Sequence, residues 1–257
     1  MSSYHAKPTA ATLAAEPYVH VASHVLRSGV HAVADPRAIA AFTASWDDLP
    51  VDDHLVGDVA YRRRRYSSFT LDPRPLRRPH RPFFQSTQIN PLHGGVPRSF
   101  APLADDVAES PVLAALIHTT RRLLPGPLDT KSSACGVHQI RIETDGRSAG
   151  LPAPEGIHCD GHAYVAQVLI RRDEGVGGKS TIFDLDRRAL YSTTLHEPFE
   201  CLIVDDRRVL HGVTPFSRPG VRVVRDMLLI DFFRLPEPAA STNPVPAVGA
   251  ARLKERP

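Results

Sequence analysis

The residues best suited to chemistry are His158-Cys159-Asp160 and, 51 positions after the aspartate, His211. Two histidines and one carboxylate are the donor set of a facial triad. That set holds Fe(II) on one face and leaves the remaining positions open for a co-substrate and O2. In an extended segment residues two apart point the same way, so His158 and Asp160 can both face a cavity while Cys159 faces away. His211 must come from another strand. It follows Cys201-Leu-Ile-Val-Asp-Asp206, which reads as a strand, and precedes the turn signal Thr214-Pro215. H-x-D is a short pattern, and in a chain with 13 histidines it also suits a hydrogen-bonded pair in a loop.

Other polar residues are candidates for lining such a site. Arg62-Arg63-Arg64-Arg65 lies in a run, residues 57–69, that reads as a strand. Alternation puts Arg62 and Arg64 on one face and Arg63 and Arg65 on the other. The run is either a solvated or structural stripe or the source of an anion-binding arginine. Gln139 and Arg141 share a strand face; they either bind a substrate carboxylate or lie solvated at an edge. Trp46, the single tryptophan, falls on the apolar face of a predicted helix and reads as core.

The elements that must position these residues can be read in outline. With 257 residues, 42% of them hydrophobic, the chain can bury a core without disulfide staples. Asp35-Pro36 to Trp46 reads as a helix, with Asp35 at the cap and Pro36 in the first turn, ended by Leu49-Pro50. Residues 72–82 hold four prolines and read as irregular, residues 83–89 as a strand, and Gly94-Gly95 as a turn. Residues 105–124 have helical spacing, broken or started at Pro111 and closed by Gly126-Pro127. From Cys135 onward, short strand-like runs at 137–142, 162–170, 180–183, 199–204 and 221–233 alternate with Gly, Pro and Asp clusters. This pattern predicts a sandwich or barrel, with helices supplied by the N-terminal half. The expected division is a flexible segment over 1–18, one domain over 19–235, and a flexible Ala- and Pro-rich tail over 236–257.

The net charge of +3, from 31 basic and 28 acidic residues, is too balanced to point to nucleic acid or an anionic membrane. Cys135, Cys159 and Cys201 show no CxxC spacing and no disulfide framework, which suits reduced thiols in a cytoplasm. No signal-peptide pattern is visible at the N-terminus. No apolar run approaches the roughly 20 residues that a membrane-spanning helix needs.

Several stretches, in order, resemble bacterial 2-oxoglutarate- and Fe(II)-dependent dioxygenases of the isoleucine hydroxylase type. They are Pro154-Glu-Gly-Ile-His158-Cys-Asp160-Gly-His162, Gly177-Gly-Lys-Ser-Thr-Ile-Phe-Asp184, Asp205-Asp-Arg-Arg-Val-Leu-His211-Gly-Val-Thr-Pro215 and Arg225-Asp-Met-Leu-Leu-Ile-Asp-Phe232. Upstream, Tyr61 to Tyr66, Gln85-Ser86, Asn90 to Val96 and His138 to Arg141 agree with the same family. The resemblance spans roughly residues 35–235. It implies a mainly β fold with flanking helices, a double-stranded β-helix also called a jelly roll or cupin-like barrel. It implies hydroxylation of an unactivated carbon of a free L-amino acid or close derivative, with His158, Asp160 and His211 as ligands to Fe(II).

By the same resemblance, Arg225 stands at the family's Arg-Asp pair and would grip the distal carboxylate of 2-oxoglutarate. A guanidinium suits this because it stays charged and can offer two parallel hydrogen bonds. Arg222 is the competitor; three positions away in a regular strand, it faces the opposite side. Ser180 or Thr181 could hydrogen-bond a 2-oxoglutarate carboxylate. His162 lies two residues past Asp160, but a fourth protein ligand would leave too few positions for 2-oxoglutarate and O2, so it reads as pocket-lining or structural. The expectation is a cytoplasmic dioxygenase using Fe(II), 2-oxoglutarate and O2 on a small amino acid, with no nucleic-acid or membrane partner and with room for a homodimer. Two rivals remain: the same iron centre ending in desaturation or cyclisation, and a cupin-like binding protein without turnover.

Overall fold

The long apolar runs become the middle of a sheet covered on both faces. The computed structural model describes residues 10–55, 60–90, 92, 94–126 and 128–235. In chain order the elements are α1 (Ala10–Ala15), β1 (Tyr18–Val21), α2 (Ser23–His31), α3 (Pro36–Ala44), a 3-10 turn (Ser45–Asp48), β2 (Arg62–Thr70), α4 (Asp105–Ala108) and α5 (Pro111–Arg122). They continue as β3 (Ser133–Thr144), β4 (Tyr164–Arg172), β5 (Val176–Gly177), β6 (Ser180–Phe183), β7 (Ala189–Thr193), β8 (Cys201–Asp205), β9 (Leu210–Val213), β10 (Phe216–Ser217) and β11 (Val223–Arg234).

Six strands form an antiparallel sheet in the order β1-β8-β4-β11-β3-β2. A smaller sheet runs β7-β6-β9, and β10 pairs with β5. The helices cover one face of the large sheet: Leu26, Val30, Phe42, Trp46 and Leu116 share a buried cluster with Val137, Val168, Ile203 and Leu228. The other face looks toward the small sheet, where Val165, Leu202 and Val204 meet Ile182 and Val209. Two antiparallel sheets packed face to face in this way form a jelly roll. Trp46 is fully buried in the 3-10 turn, and its indole N–H lies 3.3 Å from the carbonyl oxygens of both Ile140 and Met227. It therefore ties the helical layer to β3 and β11 and is core, as its position predicts.

The helix signals hold. Asp35 accepts a hydrogen bond from Ala38 N at 2.8 Å and Pro36 opens α3. Ser110 caps α5 by accepting from Val112 N, and Pro111 starts that helix rather than breaking a longer one. Gly126, at φ 77°, turns the chain after α5.

Three expectations change. Within the segment read as flexible from 1 to 18, residues 10–15 form α1 and Tyr18 starts β1. Leu13 is fully buried and β1 pairs with β8, so local apolar anchors outweigh the Ala-rich composition. Residues 1–9 and the tail 236–257 lie outside the described residues. The strand expected over 83–89 is one bridge, Phe83 to Arg98, followed by a turn. The Gln85 side chain bonds Asn90, Arg98 and the Asp160 carbonyl instead of facing a ladder partner. The strand read over 57–69 begins at Arg62; residues 56–59 lie outside the described set. No helix among the described residues is long and apolar enough to cross a membrane.

Candidate metal centre

His158 and His211 meet through their backbones. Each donates its N–H to the other's carbonyl, at 2.9 and 2.8 Å, forming an isolated bridge at the edge of the small sheet. The bridge brings the two rings to 4.5 Å between centroids. Asp160, two residues on, turns its carboxylate to the same place: Oδ2 is 3.2 Å from His211 Nε2 and Oδ1 is 3.7 Å from His158 Nε2. The three side chains each offer a donor atom, all within 4.8 Å of one another. Cys159 between them belongs to no such cluster among the described residues.

The tautomers suit a cation. His158 Nδ1 lies 3.0 Å from Gly156 O, so its N–H is committed there and Nε2 presents a lone pair. Gln167 lies 3.4 Å from His211 Nδ1; a turn of that carboxamide offers its oxygen to Nδ1–H. His211 Nε2 is buried and has no hydrogen-bond partner despite its closeness to Asp160. A ring nitrogen packed against carboxylate oxygens without hydrogen-bond geometry fits a metal between them. Burial penalises the His211 imidazolium, yet Asp160 and Asp206 outweigh it and hold the ring up at about 10. Burial likewise opposes the Asp160 anion, but the His211, His158 and His162 rings hold it far below the usual carboxylate range. Metal binding competes with protons there, because the ligating nitrogens must be free of them.

Asp206 positions the segment that carries these ligands. Its carboxylate accepts the backbone N–H of Asp160 at 3.0 Å and of His162 at 2.8 Å. Gln85 accepts from Arg98 at 2.6 Å and donates to Asp160 O at 3.1 Å. His162 itself lies 3.4 Å from Asp231 and outside the ligand cluster.

The same cavity, between the two sheets, is lined by His158, Asp160, His211, Met227 and Arg225. Arg225 is 3% exposed, no carboxylate among the described residues lies within ion-pair distance of it, and its Nε has no partner among them. Burial, then the Arg172 guanidinium, lowers it to about 10, so it is cationic at neutral pH. Gly178 makes room for it: a Cβ there would sit 3.2 Å from Arg225 Nε. Arg222 precedes the strand, is exposed, and pairs with Glu143 at 3.0 Å.

The remaining candidates divide by face. Arg62 and Arg64 line the cavity, but Arg62 is held by Asp52 at 2.7 Å and Arg64 donates to His138 Nδ1 at 2.7 Å. Gln139 and Arg141 do not reach the cavity. They point into the helical layer, where Gln139 bonds Ser45 and Arg141 grips Asp226 through both of its oxygens. Their expected role with a substrate carboxylate is thus corrected: an internal aspartate already fills it. Thr181 bonds Ser192, whereas the buried Ser180 hydroxyl has no partner. Sequence reasoning gave no role to four residues of the site, Asp206, Gln167, Arg98 and Glu155, although Asp206 and Glu155 lie within the stretches that carry the family resemblance.

Comparison with known proteins agrees with this geometry. The family model for 2OG-Fe dioxygenase matches residues 43–231. Among solved structures, a bsmA homolog from Methylobium petroleophilum is 30% identical, with 91% of this chain and 96% of that one covered and a TM-score of 0.77. IDO from Bacillus thuringiensis, at 18% identity with 89% and 98% covered, has a TM-score of 0.73. The Fe(II)/α-ketoglutarate-dependent dioxygenase TqaL, at 16% identity with 87% and 85% covered, has a TM-score of 0.66. The last two speak for the fold. No match was found among curated proteins. The family match over residues 43–231 and the 30% identity over nine-tenths of the chain show that this protein belongs to the 2OG-Fe dioxygenases, which use Fe(II), 2-oxoglutarate and O2.

Proposed function

We propose that the protein hydroxylates an unactivated carbon of a free L-amino acid or close derivative, with His158, Asp160 and His211 holding Fe(II) and Arg225 gripping the distal carboxylate of 2-oxoglutarate. The observation that carries the reading is one cavity in which a ring nitrogen and a guanidinium, His211 Nε2 and Arg225 Nε, are both buried and unpartnered. The first fits a cation and the second a carboxylate.

Bound there, Fe(II) supplies O2 activation coupled to oxidative decarboxylation of 2-oxoglutarate, one oxygen atom entering succinate and the other the substrate C–H bond. The chain's residues do the rest. His158 and His211 donate neutral nitrogen and Asp160 one negative charge, which leaves part of the coordination sphere free. Asp206 fixes the backbone on which Asp160 rides. Arg225 sets the direction in which the co-substrate lies. Ile140, Met227 and Leu229 keep the reacting carbon away from water.

The test is a screen of the free L-amino acids for stimulated succinate release with Fe(II), 2-oxoglutarate and ascorbate, followed by mass spectrometry. A gain of one oxygen is expected; loss of two hydrogens would instead identify desaturation or ring closure. His158→Ala and His211→Ala are expected to lose bound iron. Silence across the whole panel would sink the amino-acid reading, and full iron content in either variant would sink the ligand assignment.

A further inference from the structure

Besides His211 and Arg225, two ionisable side chains lining this cavity end in buried atoms with no hydrogen-bond partner: Arg98, at Nε, and Glu155, at Oε2. They carry opposite charge. We infer that they form a clamp for a zwitterion, Arg98 receiving the α-carboxylate of the substrate and Glu155 its α-ammonium. The inference rests on the amino-acid reading above and assigns that reading its recognition residues.

Elimination singles out Arg98. Three arginines besides Arg225 line the cavity: Arg62, Arg64 and Arg98. Arg62 is saturated by Asp52, and Arg64 spends both Nε and Nη2 on His138, whereas Arg98 leaves its Nε without a partner. Arg98 is 5% exposed and donates only to the neutral Gln85 carboxamide, with no carboxylate within 4.0 Å among the described residues. A guanidinium buried with only a neutral partner is costly unless an anion joins it. It is also held in place. Its Cζ lies 5.1 Å from the Phe83 ring centroid and 5.8 Å from that of Phe100, so the stem is fixed by aromatic walls before any ligand arrives.

Glu155 is the complementary case. Its nearest cationic candidate is His158 Nε2, 3.8 Å from Oε1, which is neutral when it ligates a metal. No lysine or arginine lies within ion-pair distance of Glu155 among the described residues. Glu155 and Arg98 line the same cavity beyond ion-pair distance of each other, so a gap separates them. A carboxylate and an ammonium on one carbon fill such a gap with both charges matched. Ile140, Val213, Met227 and Leu229 leave an apolar wall for the side chain of the substrate. Acylation of the amine or amidation of the acid would strand one buried charge, so peptides and N-acyl derivatives are rejected.

The experiment is calorimetric binding to the full-length protein loaded with Co(II) and 2-oxoglutarate, so that no turnover intervenes. The probes are the best-binding free L-amino acid of a full panel, its α-amide, its N-acetyl form and the corresponding des-amino acid. The wild-type protein is expected to bind the free form about tenfold or more tighter than each derivative. Arg98→Met should lose about tenfold or more for the free form yet bind the amide as the wild type does. Glu155→Gln should lose as much for the free form yet bind the des-amino acid unchanged. Cobalt content should stay the same in both variants. Equal wild-type binding of free and capped forms, or wild-type affinity in either variant, would overturn the clamp alone. Loss of cobalt from Glu155→Gln would make Glu155 a metal ligand and overturn it too. Absence of binding by every free amino acid to the wild-type protein would instead overturn the substrate reading on which the clamp rests.

Discussion

Around the metal centre, side-chain parity determines what each residue can do. His158 and Asp160 turn their donor atoms inward because they are two apart in extended backbone, and the half-buried Cys159 between them stays out of the cluster. That much was legible in the sequence. Burial raises the Cys159 thiol above its ordinary value, so it is a poor thiolate ligand. Cys159→Ser is therefore expected to keep its iron and its turnover; a variant that loses iron would show that the sulfur ligates. Parity says which residues share a face but not which face is the site, and Gln139 and Arg141 illustrate the difference. Strand β3 is buried on both sides, and the pair turns to the helices while His138 and Ile140 turn to the cavity. On β11 the cavity side is occupied by Arg225, with an apolar strand ahead of it and no carboxylate partner among the described residues. Arg225→Ala is expected to raise the Michaelis constant for 2-oxoglutarate at least about 30-fold, from ~2–5 kcal/mol of lost pairing. Arg222→Ala should leave it near the wild-type value, since Arg222 is exposed and paired with Glu143. The opposite ranking would reverse the assignment.

The long apolar strands β3, β4 and β11 could be read from their runs, and one helix start from Asp35-Pro36, whereas the pattern over 105–124 left Pro111 as either a break or a start. Of the short elements, β6 and β8 could, from the runs at 180–183 and 199–204, but β1, β7 and β9 could not. Strand β9, which carries His211, has four residues, and β7 is an edge strand with little burial. Their pairing comes from tertiary contact rather than local pattern. Helix α1 was missed for the same reason: its one deep anchor, Leu13, sits in an Ala-rich segment. Leu13→Ala should lower unfolding free energy by about 2–5 kcal/mol, as for other fully buried leucines, which a urea melt measures. An unchanged midpoint would mean that α1 contributes nothing. On β3, burial and the Arg64 guanidinium push His138 down to about 4 against the pull of Asp231, to which it donates at 2.8 Å. The folded protein therefore keeps this ring neutral while the unfolded chain takes up a proton below about 6.5. The His138 contribution to stability is complete above pH ~6.5 and is lost as pH falls toward ~4, by ~3 kcal/mol over that window. In His138→Gln the decline in stability between those pH values should be shallower by that amount. Identical slopes in the two proteins would show that this ring does not titrate on unfolding.

At the scale of the molecule, the two sheets close on groups that the protein alone leaves unsatisfied. His211 Nε2 and Arg225 Nε face the same cavity without partners, one suited to a cation and the other to an anion. Ligands that satisfy them bind the folded chain and not the unfolded one, so they stabilise it by mass action. Each ligand at a hundredfold excess over its dissociation constant contributes ~2.7 kcal/mol. In a chain of this size that corresponds to a rise in Tm of about 5–10 °C per ligand. The order of addition matters, because in the proposed reading 2-oxoglutarate would be held by both the metal and the Arg225 guanidinium. Co(II) alone should raise Tm by one increment, and 2-oxoglutarate added afterwards by a second. The co-substrate added to metal-stripped protein should give much less than that second increment. In Arg225→Ala the first increment should survive and the second shrink, whereas His211→Ala should lose both. Because the pattern needs no turnover, it tests the site independently of the substrate. A 2-oxoglutarate increment that is as large in Arg225→Ala as in the wild-type protein would place the distal carboxylate on some other cation, with Arg172 beside it the next to examine.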